Sequence, residues 1–210
     1  MIESKHMHII VGLGNPGEEY KTTRHNAGRI AVEYFSKKFD FPDFELSKKY
    51  QSFSSASEIS EKIDKKNVSE KVLLLLPETF MNKSGKALES LYITPKKAEK
   101  LIVVHDDLDM PVGKIKIMFN RGSGGHKGVE SIIRNIKTEA FVRIKIGVCP
   151  TTPSGKLKKP EGEKLLDFIV GNFKKEELDE IKKVSKHVAE ALKTIVLEGR
   201  EAAMNEWNQR

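Results

Sequence analysis

The chain is expected to be an α/β protein of three layers: one mixed, mostly parallel sheet with helices on both faces, in a single domain spanning 1–210. Two patterns predict this. Short apolar runs, "HIIVGL" (8–13), "KVLLLLP" (71–77) and "LIVVHD" (101–106), alternate with stretches whose apolar residues recur at helical spacing. Some connections are also short enough to join antiparallel neighbours, which makes the sheet mixed.

The elements follow in order. "HIIVGL" is stopped by "GNPG" and so reads as a buried strand and a turn. In "TRHNAGRIAVEYFSKKF", Ala27, Ile30, Ala31, Tyr34 and Phe35 mark one helical face, and Thr22 or Thr23 can cap its first turn. His25 then lies near the helix N-terminus. "QSFSSASEI" alternates as a strand, and the continuous apolar runs "KVLLLLP" and "LIVVHD" suit strands covered on both faces, which places them centrally. Between them, Phe80, Ser84, Ala87, Leu88 and Leu91 recur at helical spacing, and "GKIKIMF" alternates as a further strand. Val129, Ile132, Ile133 and Ile136 mark another helix, and "FVRIKIGV" (141–148) alternates strictly. "PTTPSGKLKKPEG" breaks every period and reads as a long exposed loop. A long amphipathic helix with Leu178, Ile181, Val188, Leu192, Ile195 and Val196 on one face closes the chain.

Composition narrows the function. With 210 residues, 38% hydrophobic and 32% charged, the chain can bury one core. Lys and Arg outnumber Asp and Glu by 37 to 30, and a net charge of +7 brings a polyanionic partner into view without identifying one. The single cysteine, Cys149, excludes an internal disulfide framework and a cysteine zinc cluster, suits a reducing compartment, and reads as a buried strand residue. No apolar run is long enough to cross a bilayer and no signal-peptide pattern opens the chain, so a cytoplasmic protein without membrane contact is expected.

In layered α/β sheets ligands bind in the crevice at the carboxyl ends of the strands. Asn15 and His25 follow the first strand, Asn82 follows "VLLLLP", Asp106 ends "LIVVH", and His126 and Lys127 lie in the glycine-rich "NRGSGGHKGVE" (120–130). That loop is no nucleotide cradle. A dinucleotide fingerprint needs glycine at Lys127, and a P-loop needs Gly-Lys-Ser/Thr in that order. His25 is a candidate general base or acid, and Asp106 a candidate orienting carboxylate of the kind that serves a catalytic triad. The triad's serine is missing: no G-x-S-x-G elbow and no H-E-x-x-H spacing occur, so covalent and zinc mechanisms lose ground and water is left as the nucleophile. A general base is worth about 10²–10⁴-fold and one oxyanion donor about 10²–10³-fold, enough for an activated ester but hardly for an amide. Asn15 and Asn82 can supply such donors, although an isolated asparagine more often caps a helix or turn.

At this point the residues match a family. "VGLGNPGEEYKTTRHNAGRIAVE" resembles the N-terminal signature of bacterial peptidyl-tRNA hydrolases, and "TFMNKSGKA", "HDDLDMPVGKIK", "GSGGHKG", "FVRIKIGV" and "LLDFIVGNF" follow in family order. The similarity runs from Met7 onward, leaving residues 1–6 as an extension. It implies hydrolysis of the ester that joins a peptide to tRNA, with no cofactor and no metal, by a monomer. His25 would activate water, Asp106 would support it, and Asn15 would position substrate or stabilise the oxyanion. Met81 and Asn82 would line the peptide groove, Tyr20 would lie near the acceptor end, and Gly125 and His126 would form another wall. Residues 150–164 would be a mobile lid. An amide such as Asn82, buried in the site, would bond an acylated α-nitrogen and disfavour a free charged amine. Lys145 and Lys116 would hold a tRNA phosphate, Lys145 without the planar fork of the arginine usual there. The chain departs from the family at Lys127, where asparagine is usual. Lys127 either pairs with Glu130 on the surface, or points into the groove and lowers the proton affinity of His25. A plant organellar relative of this fold serves in RNA splicing, so a noncatalytic RNA-binding protein is the alternative.

Overall fold

The computed structural model describes residues 7–209, and the 1–6 extension lies outside it. The chain forms β1 (Met7–Gly12), α1 (Ala27–Lys38), β2 (Glu45–Ser47), β3 (Ser52–Ile63), β4 (Lys66–Pro77), α2 (Pro95–Ala98), β5 (Leu101–Pro111), β6 (Ile115–Phe119) and α3 (Lys127–Ile136). It continues through β7 (Val142–Cys149), α4 (Lys164–Val170), α5 (Lys175–Glu198) and α6 (Arg200–Trp207). The strands lie in the order β2-β3-β4-β1-β5-β7-β6. The centre is parallel, with β1 between β4 and β5 and with β7 parallel to β5. Antiparallel pairs close both edges.

The two continuous apolar runs do flank the central strand. Along β4 and β5 alternate residues feed opposite cores. Val72, Leu74, Leu76, Ile102 and Val104 pack toward α1 and α5, while Leu73, Leu75, Leu101 and Val103 pack toward α3 and the 81–91 segment. Apolar side chains buried on both faces explain why these strands show no period of two.

Several elements differ from expectation, each for a physical reason. Met81–Leu91 is a 3-10 helix rather than an α-helix. Its buried residues Met81, Ser84 and Ala87 recur every third position, the 3-10 repeat. "FVRIKIGV" reads as a half-exposed strand, yet in β7 only Lys145 is not fully buried, and Arg143 is covered with its Nε unpartnered. Lying between β5 and β6, this strand is covered on both faces despite its charges. Phe80, expected on a core stripe, is 57% exposed. The closing helix breaks at Gly199, whose φ of 98 ends α5 and starts α6. Cys149 is buried, as expected. Among the described residues no helix is long and apolar enough to cross a membrane.

Candidate active site at the carboxyl ends of β1 and β5

His25 sits in a 3-10 turn, Arg24–Asn26, just before α1. This turn must approach β5 closely, and Gly28 allows it: a Cβ there would lie 2.1 Å from the Val104 carbonyl oxygen. Backbone bonds from Leu13 N–H to Val104 and from Arg29 N–H to Leu13, each 3.0 Å, hold the three segments together. The turn is also tied to the chain beyond α4. The Arg24 guanidinium donates to the carbonyls of Gly171 and Asn172 at 3.3 and 2.9 Å, reaches Glu177 at 2.7 Å, and lies 4.2 Å over the Phe168 ring. The sequence places Arg24 in a motif but assigns it no role.

On this scaffold His25 Nδ1 lies 2.9 Å from Asp106 Oδ1. Asp106, at the end of the apolar stretch of β5, is 3% exposed, while the His25 side chain keeps 13% exposure. Burial alone would raise the Asp106 pKa, but electrostatic attraction to His25 and then His126, with hydrogen bonds from both rings, holds it well below the ordinary carboxylate value. Burial likewise disfavours a charged His25, yet Asp106 outweighs it and raises that pKa above the ordinary 6.5. The carboxylate accepts, so Nδ1 of His25 donates. Nε2 remains as the basic nitrogen.

His126 approaches the same carboxylate oxygen from the other side, with Nε2 at 2.9 Å. It precedes α3, whose first turn is packed so tightly that a Cβ on Gly128 would lie 2.4 Å from Met81 Sδ. A third histidine, His105, lies beneath. It is fully buried, its Nδ1 is 2.7 Å from the Asp106 carbonyl oxygen, and its ring is 4.6 Å from that of His126. Burial first, then the electrostatic effect of the neighbouring His126 ring, keeps its pKa well below 6.5. His25 Nδ1, Asp106 Oδ1 and His126 Nε2 lie within 4.8 Å of one another, a spacing open to a divalent cation. Both nitrogens, however, donate to the carboxylate, and a protonated nitrogen has no lone pair for a metal.

Asn15 is buried beside this group. Its backbone exchanges bonds with the Asn26 amide, N–H to Oδ1 at 2.8 Å and Nδ2 to the Asn15 carbonyl at 3.0 Å. Its own side-chain Oδ1 accepts the Met81 N–H at 2.9 Å. Asn82, expected as the buried selecting amide, is exposed. The 3-10 repeat turns Met81 and Ser84 inward and leaves Asn82 facing solvent, so the buried amide is Asn15. Tyr20 is half-buried and meets Phe80 edge to face at 6.5 Å, while Gly125 is exposed at the turn before His126. A cleft of about 520 Å³ opens beyond Asn15 and Asn26 over Phe44 and Phe53, away from His25 and Asp106.

The lysines lie further out. Lys145 and Lys116 are cross-strand neighbours on β7 and β6. Lys145 forms an ion pair with Asp107, and burial lowers its pKa, while Lys116 is exposed. The Lys127 side chain is 70% exposed, with its ammonium 3.3 Å from Glu130.

The fold and this group define an α/β protein with a buried histidine–carboxylate cluster at the crevice of its sheet, the arrangement of a hydrolase site. Comparison with known proteins agrees. A model of the peptidyl-tRNA hydrolase family matches residues 9–210. The peptidyl-tRNA hydrolase of Caldanaerobacter subterraneus is 39% identical over 203 residues, covering 96% of this chain and 100% of that protein. That of Methylacidiphilum infernorum is 37% identical over 199 residues, covering 94% and 96%. The crystal structure of the Acinetobacter baumannii peptidyl-tRNA hydrolase superimposes with a TM-score of 0.75 at 30% identity, covering 96% of this chain and 94% of that one. The chain belongs to the peptidyl-tRNA hydrolase family.

Proposed function

We propose that this protein hydrolyses the ester of peptidyl-tRNA, releasing peptide and free tRNA, with His25 activating the attacking water. The observation that carries this is the 2.9 Å contact from His25 Nδ1 to a buried Asp106 carboxylate, which leaves Nε2 of a partly exposed ring to take a proton. As the ester carbonyl is attacked, Asp106 stabilises the imidazolium that forms. The same ring then returns the proton to the departing ribose oxygen. The ester is activated enough for this without a covalent intermediate.

Asn15 supports substrate placement. With Oδ1 held by the Met81 N–H, its amide has a fixed orientation and Nδ2 remains to donate to a substrate carbonyl or oxyanion. Its burial also suits selection, because a free cationic α-amine would meet an amide donor instead of a partner. Tyr20, Met81, Asn82, Gly125 and His126 would line the groove for the peptide and acceptor end. Residues 150–164 would close over it as a lid, and the protein would act as a cytoplasmic monomer. Lys145 and Lys116 would meet tRNA phosphate, Lys145 by exchanging Asp107 for the ligand.

The test is release from N-acetyl-aminoacyl-tRNA against free aminoacyl-tRNA, with His25→Ala as control. Selective release from the blocked substrate, lost by about 10²–10⁴-fold in the variant, is expected. Tight RNA binding without release would overturn the assignment and restore a noncatalytic RNA-binding role.

A further inference from the structure

His126 does more than line a wall. Its Nδ1 accepts the backbone N–H of Gly128 at 3.2 Å and of Val129 at 3.3 Å, so the ring is the N-cap of α3. A ring nitrogen that accepts N–H bonds carries no proton, so the proton is on Nε2. That nitrogen is 2.9 Å from Asp106 Oδ1, the same oxygen that receives His25 Nδ1–H at 2.9 Å. N-caps are usually Ser, Thr, Asp or Asn. Any of these would satisfy the helix, but a short cap would not also present a donor on its far side.

We propose that His126 is a positioning residue for the catalytic pair: α3 fixes its tautomer through Nδ1, and its Nε2–H shares Asp106 Oδ1 with His25. The sharing has two effects. It holds the carboxylate in place from the side opposite His25, and it divides the oxygen's accepting capacity between two donors. Asp106 then binds the His25 imidazolium less strongly than an unshared carboxylate would, and His25 stays available as a base nearer neutral pH. The neighbouring charges leave this balance to the three groups. His105 faces His126 from β5 but is buried and neutral, Arg24 is engaged with carbonyls and Glu177, and Lys127 and Glu130 pair with each other outside.

This inference rests on His25 as the base, and its test separates the two. Two substitutions dissect the ring. His126→Asn keeps an acceptor near the Nδ1 position for the α3 amides and removes the distal donor. His126→Gln places an amide N–H near the Nε2 position. In each variant the His25 ring is titrated by its carbon-bound proton resonance, and the pH dependence of N-acetyl-aminoacyl-tRNA release is recorded. In His126→Asn the His25 midpoint and the acid limb should rise together by about 0.5–1 unit. Measured against each protein's own alkaline plateau, release near pH 6 should fall about three- to tenfold further than in the wild type. His126→Gln should restore the midpoint to within about 0.2 unit. An unmoved midpoint in a folded His126→Asn protein overturns the proposal, as does an equal shift in both variants, which would mean that a donor at the Nε2 position does not set the midpoint. If His25→Ala proves fully active, the assignment of the base fails instead, while the titration still reports on His126.

Discussion

The two sides of the crevice are built differently. On one, His25, Asp106, His126 and Asn15 are buried or nearly so and held by hydrogen bonds: His25 and His126 meet on Asp106, the α3 amides fix His126, and the Met81 N–H fixes Asn15. On the other, Lys145, Lys116, Lys127 and Lys159 stand on long flexible stems, and three of them pair with acids within reach: Asp107, Glu130 and Asp109. Proton transfer fails when a group shifts by an ångström, whereas a phosphate tolerates slack as long as charge is near. The first side therefore carries its cost in constrained glycines and caps. Under the proposed function the second needs only a positive surface.

The sharpest break would come from Asp106→Asn, which removes the charge that supports an imidazolium. Release should fall about 10²–10⁴-fold. The His25 pKa, which Asp106 raises above 6.5, should drop, because burial is then left to act alone. In the wild type the rate should therefore climb with pH through a value above 6.5, and in the variant the residual rate should level off at lower pH. A loss under about tenfold would mean that geometry on this side matters less than its construction suggests.

Asn15 should come next. Asn15→Asp keeps an acceptor for the Met81 N–H but replaces the Nδ2 donor by a second oxygen. Release should fall about 10²-fold, and burying the new carboxylate should also lower thermal stability. Asn15→Ala should add a stability loss of about 1–3 kcal/mol from an unpaired buried N–H. Comparing the two by melting and by kinetics separates the donor's role from the scaffold's.

Lys145→Ala belongs to the other side and should act mildly. Binding of tRNA should weaken a few-fold, and the slope of log affinity against log salt should shrink by about 1. Lys116→Ala, removing a more exposed lysine, should do the same or less. Salt-dependent binding titrations decide between this and no phosphate contact at all.

The same contrast governs what could be read from the sequence. The positions of His25 and Asn15 follow from a strand that ends before polar residues, whereas Asp106 marks only the end of an apolar run, since β5 itself continues to Pro111. His105 and Arg143 were legible only as members of strand patterns. Their burial depends on β5 and β7 being covered on both faces, a tertiary fact that no local period encodes. Asn82 differs only in burial: its place after "VLLLLP" puts it near the crevice, but the 3-10 repeat leaves it exposed rather than buried. His126 was visible as a residue of the glycine loop, yet its double use of both ring nitrogens needs the α3 amides and Asp106 to be placed first.

Lys127→Asn should have the smallest effect, though it restores the family's usual residue. Lys127 follows His126 directly, so on the first turn of α3 its side chain points away as that of His126 points in. At 70% exposure its charge is screened by water and salt and is already partnered by Glu130 at 3.3 Å. A cation placed so cannot hold His25 neutral by repulsion as well as a donor 2.9 Å from the shared carboxylate can. The acid limb of the pH–rate profile should therefore move by less than about 0.2 unit, and release should change by less than about twofold. A larger shift, or a flattened salt dependence of release, would bring Lys127 into the groove and make the outer side of the crevice part of its chemistry.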